Sequence, residues 1–338
     1  MDAVQLVSVD REPDWDRIVL GLPGHGIYQA WSWGEIRRAP GRVVRRYALL
    51  AAGSPRAAAA VELHRLRRLP FSVAYAPAGP LWSDDDDLLE LLARLADALR
   101  ADGALYLKIN PRREESAADI LARAGLERLA PWAEPFGGVL PLRTAVVDLG
   151  PGLGAAGGAA EADARRRVRQ AAQRGVGVEP EGESSFAEVH AWLIAAADRR
   201  RFALPAADVL RAMLRTWLQR DQGELLVARH GGRCVGGAIC SFFGDEAVGH
   251  FIADDAGQRP LSATYALYAA GIAAAVRRGC RYMDLGGIRD VAQDGLLRFK
   301  RQFGAVPRAH VGEWNLPLQR GWYRALALAS AGRFGQRI

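Results

Sequence analysis

GIAAAVRRGCRYMDLGG, residues 271–287, is an apolar helical run that closes on a glycine and passes at once into a strand-like segment. LADALRADGALYLKINP, residues 95–111, follows the same course without a gap, so that Gly103 falls on Gly279, Tyr106 on Tyr282, Leu107 on Met283 and Lys108 on Asp284. A helix-to-strand junction that recurs in this way within one chain points to an internal duplication.

The segments upstream of each junction repeat as well. In the first half, strand-like RRYALLAA and RAAAAVELHRL flank a Gly-Ser-Pro turn, and AYAPAGPLW and the helical DDLLELLARLADALRADG follow. In the second, ELLVARH and RCVGGAICSFF flank Gly231-Gly232, and HFIADD and SATYALYAAGIAAAVRRG follow. Each half is a hairpin, a further strand, a helix and another strand, which implies a mixed sheet with helices packed on it. That order resembles the core of GCN5-related acyltransferases. The expected fold class is therefore α/β (α+β), with two such lobes in tandem and ligands where the lobes meet. GPGLGAAGGAA (150–160) divides the chain. The expected lobes are 1–148, completed by 317–338, and 149–316.

Composition bounds the function. A chain of 338 residues with 50% hydrophobic residues can bury two ordinary cores. Its three cysteines form no CxxC or Cys/His cluster, which argues for a reducing compartment and against a structural zinc site. The acidic N-terminus shows no secretory pattern. Pro260–Val276 is short and Ala-rich for a membrane span and reads as a buried helix. A cytoplasmic monomer without integral membrane association is expected. The net charge of +7 is concentrated at the end of the chain, where residues 289–338 hold nine basic against three acidic residues. Such a surface suits a polyanion such as RNA, and equally a plain solvated face.

Other motifs weaken when their context is read. Gly152, Gly154 and Gly157 spell GxGxxG, but the charged EADARRRVRQAAQRG that follows is not the apolar helix of a dinucleotide fold, and an interdomain linker is the better reading. The arginines of that segment, Arg165 and Arg169 among them, either touch a nucleic-acid backbone or simply face water. An acetyl-CoA enzyme needs a glycine-rich loop before its long helix, to bring amides to the pyrophosphate. Here GQRPLSA offers Leu261, Ser262 and a proline in its place. The six histidines are scattered; His250 lies on an expected strand, as a structural residue or facing a ligand.

Lys300 stands apart. It is one of two lysines, with Lys108, among 45 basic residues. Where arginine is the default cation, a retained ammonium implies a need for a compact charge that can meet an oxyanion end-on.

YMDLGGI (282–288) followed by DGLLRFKRQFG (294–304) resembles the signature of the Fem family, which uses aminoacyl-tRNA to add amino acids to peptidoglycan precursors. QAWSWGEIRR (29–38), YAPAGPLW (75–82), LYLKINP (105–111) and RRRVRQAAQRGVGVE (165–179) extend the likeness along most of the chain. No sustained heptad pattern appears, so the resemblance is to the compact form that lacks a coiled-coil arm. It implies an aminoacyltransferase that needs no cofactor or metal, because aminoacyl-tRNA is already an activated ester. The expected partners are aminoacyl-tRNA and a small amine or peptide acceptor. In the implied site Lys300 stabilises the oxyanion and Phe299 shapes the pocket for the tRNA end. Asp284, Gly286 and Gly287 frame the site, and Arg298, Arg301, Arg165 and Arg169 meet tRNA phosphates. Arg37, Arg38, Asn110 and His250 fall on the acceptor side.

That side departs from the family. Arg37 replaces a lysine that grips the acceptor's phosphates, Asn110 replaces a carboxylate and leaves no general base there, and His250 and Ile252 stand where tyrosines are usual. The implied acceptor is therefore a cell-wall precursor or a different amine, such as a peptide- or nucleoside-type natural-product intermediate. Two other readings stay open: a GCN5-type acyl-CoA N-acyltransferase, and a non-catalytic RNA-binding module.

Overall fold

The computed structural model describes residues 4–38, 42–66, 70–131, 140–150, 159–200, 202–289 and 294–329. The chain forms two compact units. One holds the described residues as far as 131, those at 140–142 and those from 309 onward; the other holds residues 143–308.

The first unit is built on an eight-stranded sheet. Strands Val4–Ser8, Arg42–Ala51, Ser54–Arg65, Ser72–Ala76, Ala104–Ile109, Trp314–Pro317 and Glu127–Arg128 follow one another across it, and Leu81–Trp82 pairs with Ser54–Arg65. Ser72–Ala76 and Ala104–Ile109 are parallel, because helix Asp85–Ala101 carries the chain back between them. Asp84 starts that helix with a reciprocal capping box to Asp87. Leu88, Leu91, Leu92, Leu95 and Leu99 recur at helical spacing, and all are buried in one core with Val61, Leu63, Ala74, Leu107 and Ile109.

The segment PAGP, residues 77–80, leaves the ladder, and Ala78 takes a positive φ of 53°. The Gln29 side chain fills the gap, accepting from Ala60 N at 2.8 Å and donating to Pro77 O at 2.7 Å. Gly79 is required there, since a Cβ would sit 2.7 Å from Gln29 Nε2.

The second unit holds a seven-stranded sheet in the order Val306–Ala309, Arg143–Asp148, Tyr282–Gly287, Glu246–Asp254, Arg233–Phe243, Gly223–His230 and Val176–Glu181. Here too a helix, Ala263–Arg277, joins two parallel strands, Glu246–Asp254 and Tyr282–Gly287. The duplication is thus a shared unit of structure: Lys108 pairs with Tyr75 as Asp284 pairs with Val248. Helix Phe186–Arg200 sets Val189 against Gly237, whereas Gly271 of Ala263–Arg277 meets Cys240.

Both units are mixed sheets with packed helices, as the α/β (α+β) reading requires. The longest helix among the described residues has 17 residues, and no coiled-coil arm occurs among them. The boundaries differ from those expected. TAVVDLG reads as the end of the first half, yet Arg143–Asp148 pairs with Tyr282–Gly287 in the second sheet. The return to the first unit comes at residue 309 rather than 317, because Trp314–Pro317 pairs with Ala104–Ile109. Ladder partners this remote in sequence leave no local signal. The glycine-rich divider lies largely outside the described residues. The stretch read as a buried helix is Ala263–Arg277, and no helix among the described residues is long and apolar enough to cross a membrane.

Candidate active site

In the second unit, Asp294 caps the short helix Gly295–Arg301 by accepting from Leu296 N at 3.0 Å, and also accepts from Arg289 N at 2.9 Å. Two consecutive side chains of this helix do different work. Phe299 joins Tyr265, Tyr268 and Phe303 in an aromatic cluster, with ring centroids 5.0–5.5 Å from it. Lys300, 2% exposed, runs to the end of strand Tyr282–Gly287. Its Nζ donates to Gly286 O and Gly287 O, each at 2.8 Å. An ammonium has three hydrogens; the third has no acceptor among the described residues. Burial pushes the Lys300 pKa down to about 8 against the pull of Asp284 and Asp294, and Arg200 adds to the depression.

Asp284 and the glycines shape this seat. Asp284 Oδ1 accepts from Gly286 N at 2.7 Å. Gly286 has φ 85°, and a Cβ there would lie 3.2 Å from Gly249 O and 3.8 Å from Lys300 Nζ. A guanidinium is broader and planar, which is the physical reason an arginine would not serve.

His250, on the neighbouring strand, is 2.7 Å from Ser241 Oγ through Nε2 and lies against the Trp217 ring at 4.6 Å. Arg298 and Arg301 are exposed, as are Arg165 and Arg169 on helix Ala159–Gln173. Arg165 pairs with Glu161 at 3.6 Å. The place of the missing CoA loop is taken by a 3₁₀ turn, Ala256–Leu261, and Ser262 with φ 58°.

In the first unit, a row of polar groups crosses the sheet. Glu62 pairs in register with Tyr75, Tyr75 with Lys108, and Lys108 with Asn315. Lys108 is fully buried and meets Glu313 at 2.8 Å. Burial lowers its pKa and Glu313 opposes the shift. Both lysines of the chain are therefore interior residues.

Glu62 is the hub at one end of the row. Trp33 Nε1 donates to its Oε1 at 3.2 Å, while Arg37 Nε at 3.0 Å and His64 Nε2 at 3.1 Å share Oε2. Burial pushes the Glu62 carboxyl up, but His64 and Arg37 together outweigh it and hold the pKa below the ordinary value. Arg37 is thus tied by its Nε, with its outer edge making no hydrogen bond among the described residues. Arg38 is exposed and lies 3.4 Å from Glu35. Asn110, expected at the acceptor, is committed internally: it accepts from Ala78 N at 2.8 Å and donates to Tyr75 Oη at 3.0 Å. Burial, with Glu313 and Glu62 nearby, holds the Tyr75 phenol well above its ordinary value.

Sequence reasoning passed over Glu62, His64, Ser241 and Glu313. The first two carried a usable signal. In AAAAVELHR, Glu62 and His64 are polar residues of an apolar strand, two apart and so on one face.

Comparison with known proteins agrees with this architecture. Residues 159–301 match the family model described as an acetyltransferase (GNAT) domain. FemX is similar at a TM-score of 0.84 and 16% identity, over 95% of this chain and 99% of that one. The C-terminal domain (DUF2156) of a putative lysylphosphatidylglycerol synthetase from Agrobacterium fabrum is similar at 0.57 and 17%, over 97% and 98%. A tandem GNAT protein from the clavulanic acid biosynthesis pathway is similar at 0.57 and 14%, over 94% and 99%. No curated protein sequence matches the chain. The fold is accordingly Fem-like, of the GCN5-related acyltransferase type, with two units in tandem along the chain.

Proposed function

We propose that this protein is an aminoacyltransferase that moves an amino acid from tRNA to the amine of an acceptor, forming an amide. The observation that carries the reading is the Lys300 ammonium, buried beside Gly286 and Gly287 with one hydrogen left to donate. The FemX-like fold supports it.

The chemistry follows from the ester. The acceptor nitrogen attacks the aminoacyl carbonyl, negative charge builds on the carbonyl oxygen, and the ribose oxygen leaves as the C–O bond breaks. An ammonium held by two carbonyls needs no reorganisation to donate its third hydrogen to that oxygen, and such stabilisation is strongest in a dry site. Phe299 lies next to Lys300 in sequence and belongs to the aromatic cluster, where it borders the aminoacyl end of the tRNA. Exposed Arg298, Arg301, Arg165 and Arg169 offer charge to its phosphates. Arg37 offers its outer edge to an anionic group of the acceptor, with Arg38 beside it in the chain.

The test is transfer from a mixed pool of charged tRNA to candidate amines, read by mass spectrometry with RNase as the control. Amide products that vanish with RNase are expected, and their absence with every amine refutes the reading. The match of residues 159–301 to an acetyltransferase model favours a second reading, acyl transfer from CoA. Calorimetric titration with acetyl-CoA decides that one, and tRNA binding without turnover would leave an RNA-binding module.

A further inference from the structure

Helix Arg320–Ala329 is fixed to the first unit by its inner face. Tyr323 packs with Val73, Leu105 and Tyr106 of the sheet, and Leu66, Phe71 and Leu326 lie at the margin of that cluster. The Tyr323 ring is 5.5 Å from that of Tyr106, and Asn315 Nδ2 donates to its hydroxyl at 3.1 Å. Just before the helix, Gln319 Nε2 donates to Ala104 O at 3.3 Å. The outer face is therefore held in one direction.

That outer face is apolar. Trp322 is 54% exposed and is the one exposed tryptophan among the described residues. Leu328, at 83%, is the most exposed of their large apolar side chains. Ala325 lies exposed between them, and the spacing 322, 325, 328 puts the three along one side of the helix. The Trp322 ring meets Phe71 at 5.4 Å, so the strip continues onto the turn where Leu66 N donates to Phe71 O at 2.9 Å. A single exposed leucine is ordinary; a run of apolar groups ending on an exposed indole is a contact surface.

Cations border the strip. Arg320 and Arg324, one helical turn apart, are both exposed and make no ion pair or hydrogen bond among the described residues. Neither residues 63–73 nor residues 318–338 contain an aspartate or glutamate, although together they hold seven arginines. Glu127 meets the helix on its inner side, at the Tyr323 hydroxyl.

We infer that this face of the first unit rests on a bilayer rich in anionic lipid, with Trp322 and Leu328 entering the interface and Arg320 and Arg324 among the lipid phosphates. An indole is apolar over most of its surface and carries one polar N–H, which suits the level of the headgroups. Each arginine close to a negative leaflet strengthens binding about fivefold. The contact is peripheral and reversible, because so few side chains hold far less than a spanning helix does. An RNA backbone would engage the same arginines but has no use for Leu328 and Ala325, and this decides for the bilayer. The inference stands apart from the transfer reaction proposed above and does not depend on it.

Cosedimentation of the full chain with lipid vesicles tests it. Mixed phosphatidylglycerol and phosphatidylcholine vesicles should retain the natural protein, phosphatidylcholine alone should not, and retention should fall as salt rises. R320Q/R324Q should weaken binding about 10–30-fold. L328S should weaken it about fivefold, and W322S/L328S about 10-fold or more. R94Q/R123Q removes the same charge from ion pairs elsewhere on the first unit and should leave binding unchanged. Thermal unfolding of R320Q/R324Q and of L328S should match that of the natural protein, since none of these side chains is packed. A natural protein that stays in solution beside anionic vesicles at low salt overturns the inference. So does binding that R94Q/R123Q weakens as much as R320Q/R324Q, or that survives both L328S and W322S/L328S. Loss of affinity for total tRNA in R320Q/R324Q, with vesicle binding intact, would give the face to RNA and overturn it as well.

Discussion

Replacing Lys300 by methionine removes the charge while keeping an unbranched side chain in the same channel. In the folded protein burial holds the ammonium at about 8, against 10.5 for an ordinary lysine. The gap corresponds to about 3 kcal/mol, at about 1.4 kcal/mol for each tenfold change in proton affinity. Between those two pH values the unfolded chain binds more protons than the folded one, so stability rises with pH across the window. The gain is complete above the unfolded value and is lost as pH falls through the folded one. Methionine does not titrate, and every other tyrosine, cysteine and lysine in the window is shared by both proteins. Paired urea titrations, followed by tryptophan fluorescence from about pH 7 to about pH 10.5, should therefore show the natural protein gaining about 3 kcal/mol relative to Lys300→Met. The acyl-transfer rate of the variant should drop about 10²–10³-fold. Two stability curves that run parallel across the window, or converge with the opposite sign, would refute the reasoning, because they would place the ammonium in water.

If Lys300 acts as an ammonium, the transfer rate of the natural protein should fall as pH rises through about 8, a limb missing from the residual activity of Lys300→Met. Lys108→Met leaves Glu313 buried without its lysine and should cost about 3–5 kcal/mol by urea unfolding, and adding Glu313→Gln should recover part of the loss. Gln29→Ala strips the hydrogen bonds of Ala60 N and Pro77 O inside the sheet and should lower stability by about 1–3 kcal/mol. Gly286→Ala forces a side chain into the left-handed region beside Gly249 O and should cost about 1–3 kcal/mol in stability as well as transfer activity.

Much of the architecture is written in local patterns. The leucines of Asp85–Ala101 declare a helix with one buried face, and the recurring helix–glycine–strand junction declares two parallel crossovers, which the pairing of Lys108 with Tyr75 and of Asp284 with Val248 realises. The rarity of lysine marks Lys300 and Lys108, because an interior charge selects residue type strongly enough to show through the composition. What lay beyond the sequence was where the chain changes sheets, since the return of the tail to the first unit was expected but its starting strand was not. Arg143–Asp148 follows the first half in the chain and joins the second sheet; Trp314–Pro317 does the reverse. Partners chosen across more than a hundred residues depend on the summed burial of whole faces, and no window of sequence contains that sum. The same holds for chemistry. Sequence shows that an ammonium was kept at 300, but only the fold aims it at two carbonyls; sequence shows a glutamate and a histidine two apart, but only the fold brings Trp33 and Arg37 to hold that glutamate in place. Residue types are set by the local cost of charge and shape, whereas direction is set by neighbours that arrive from elsewhere in the chain.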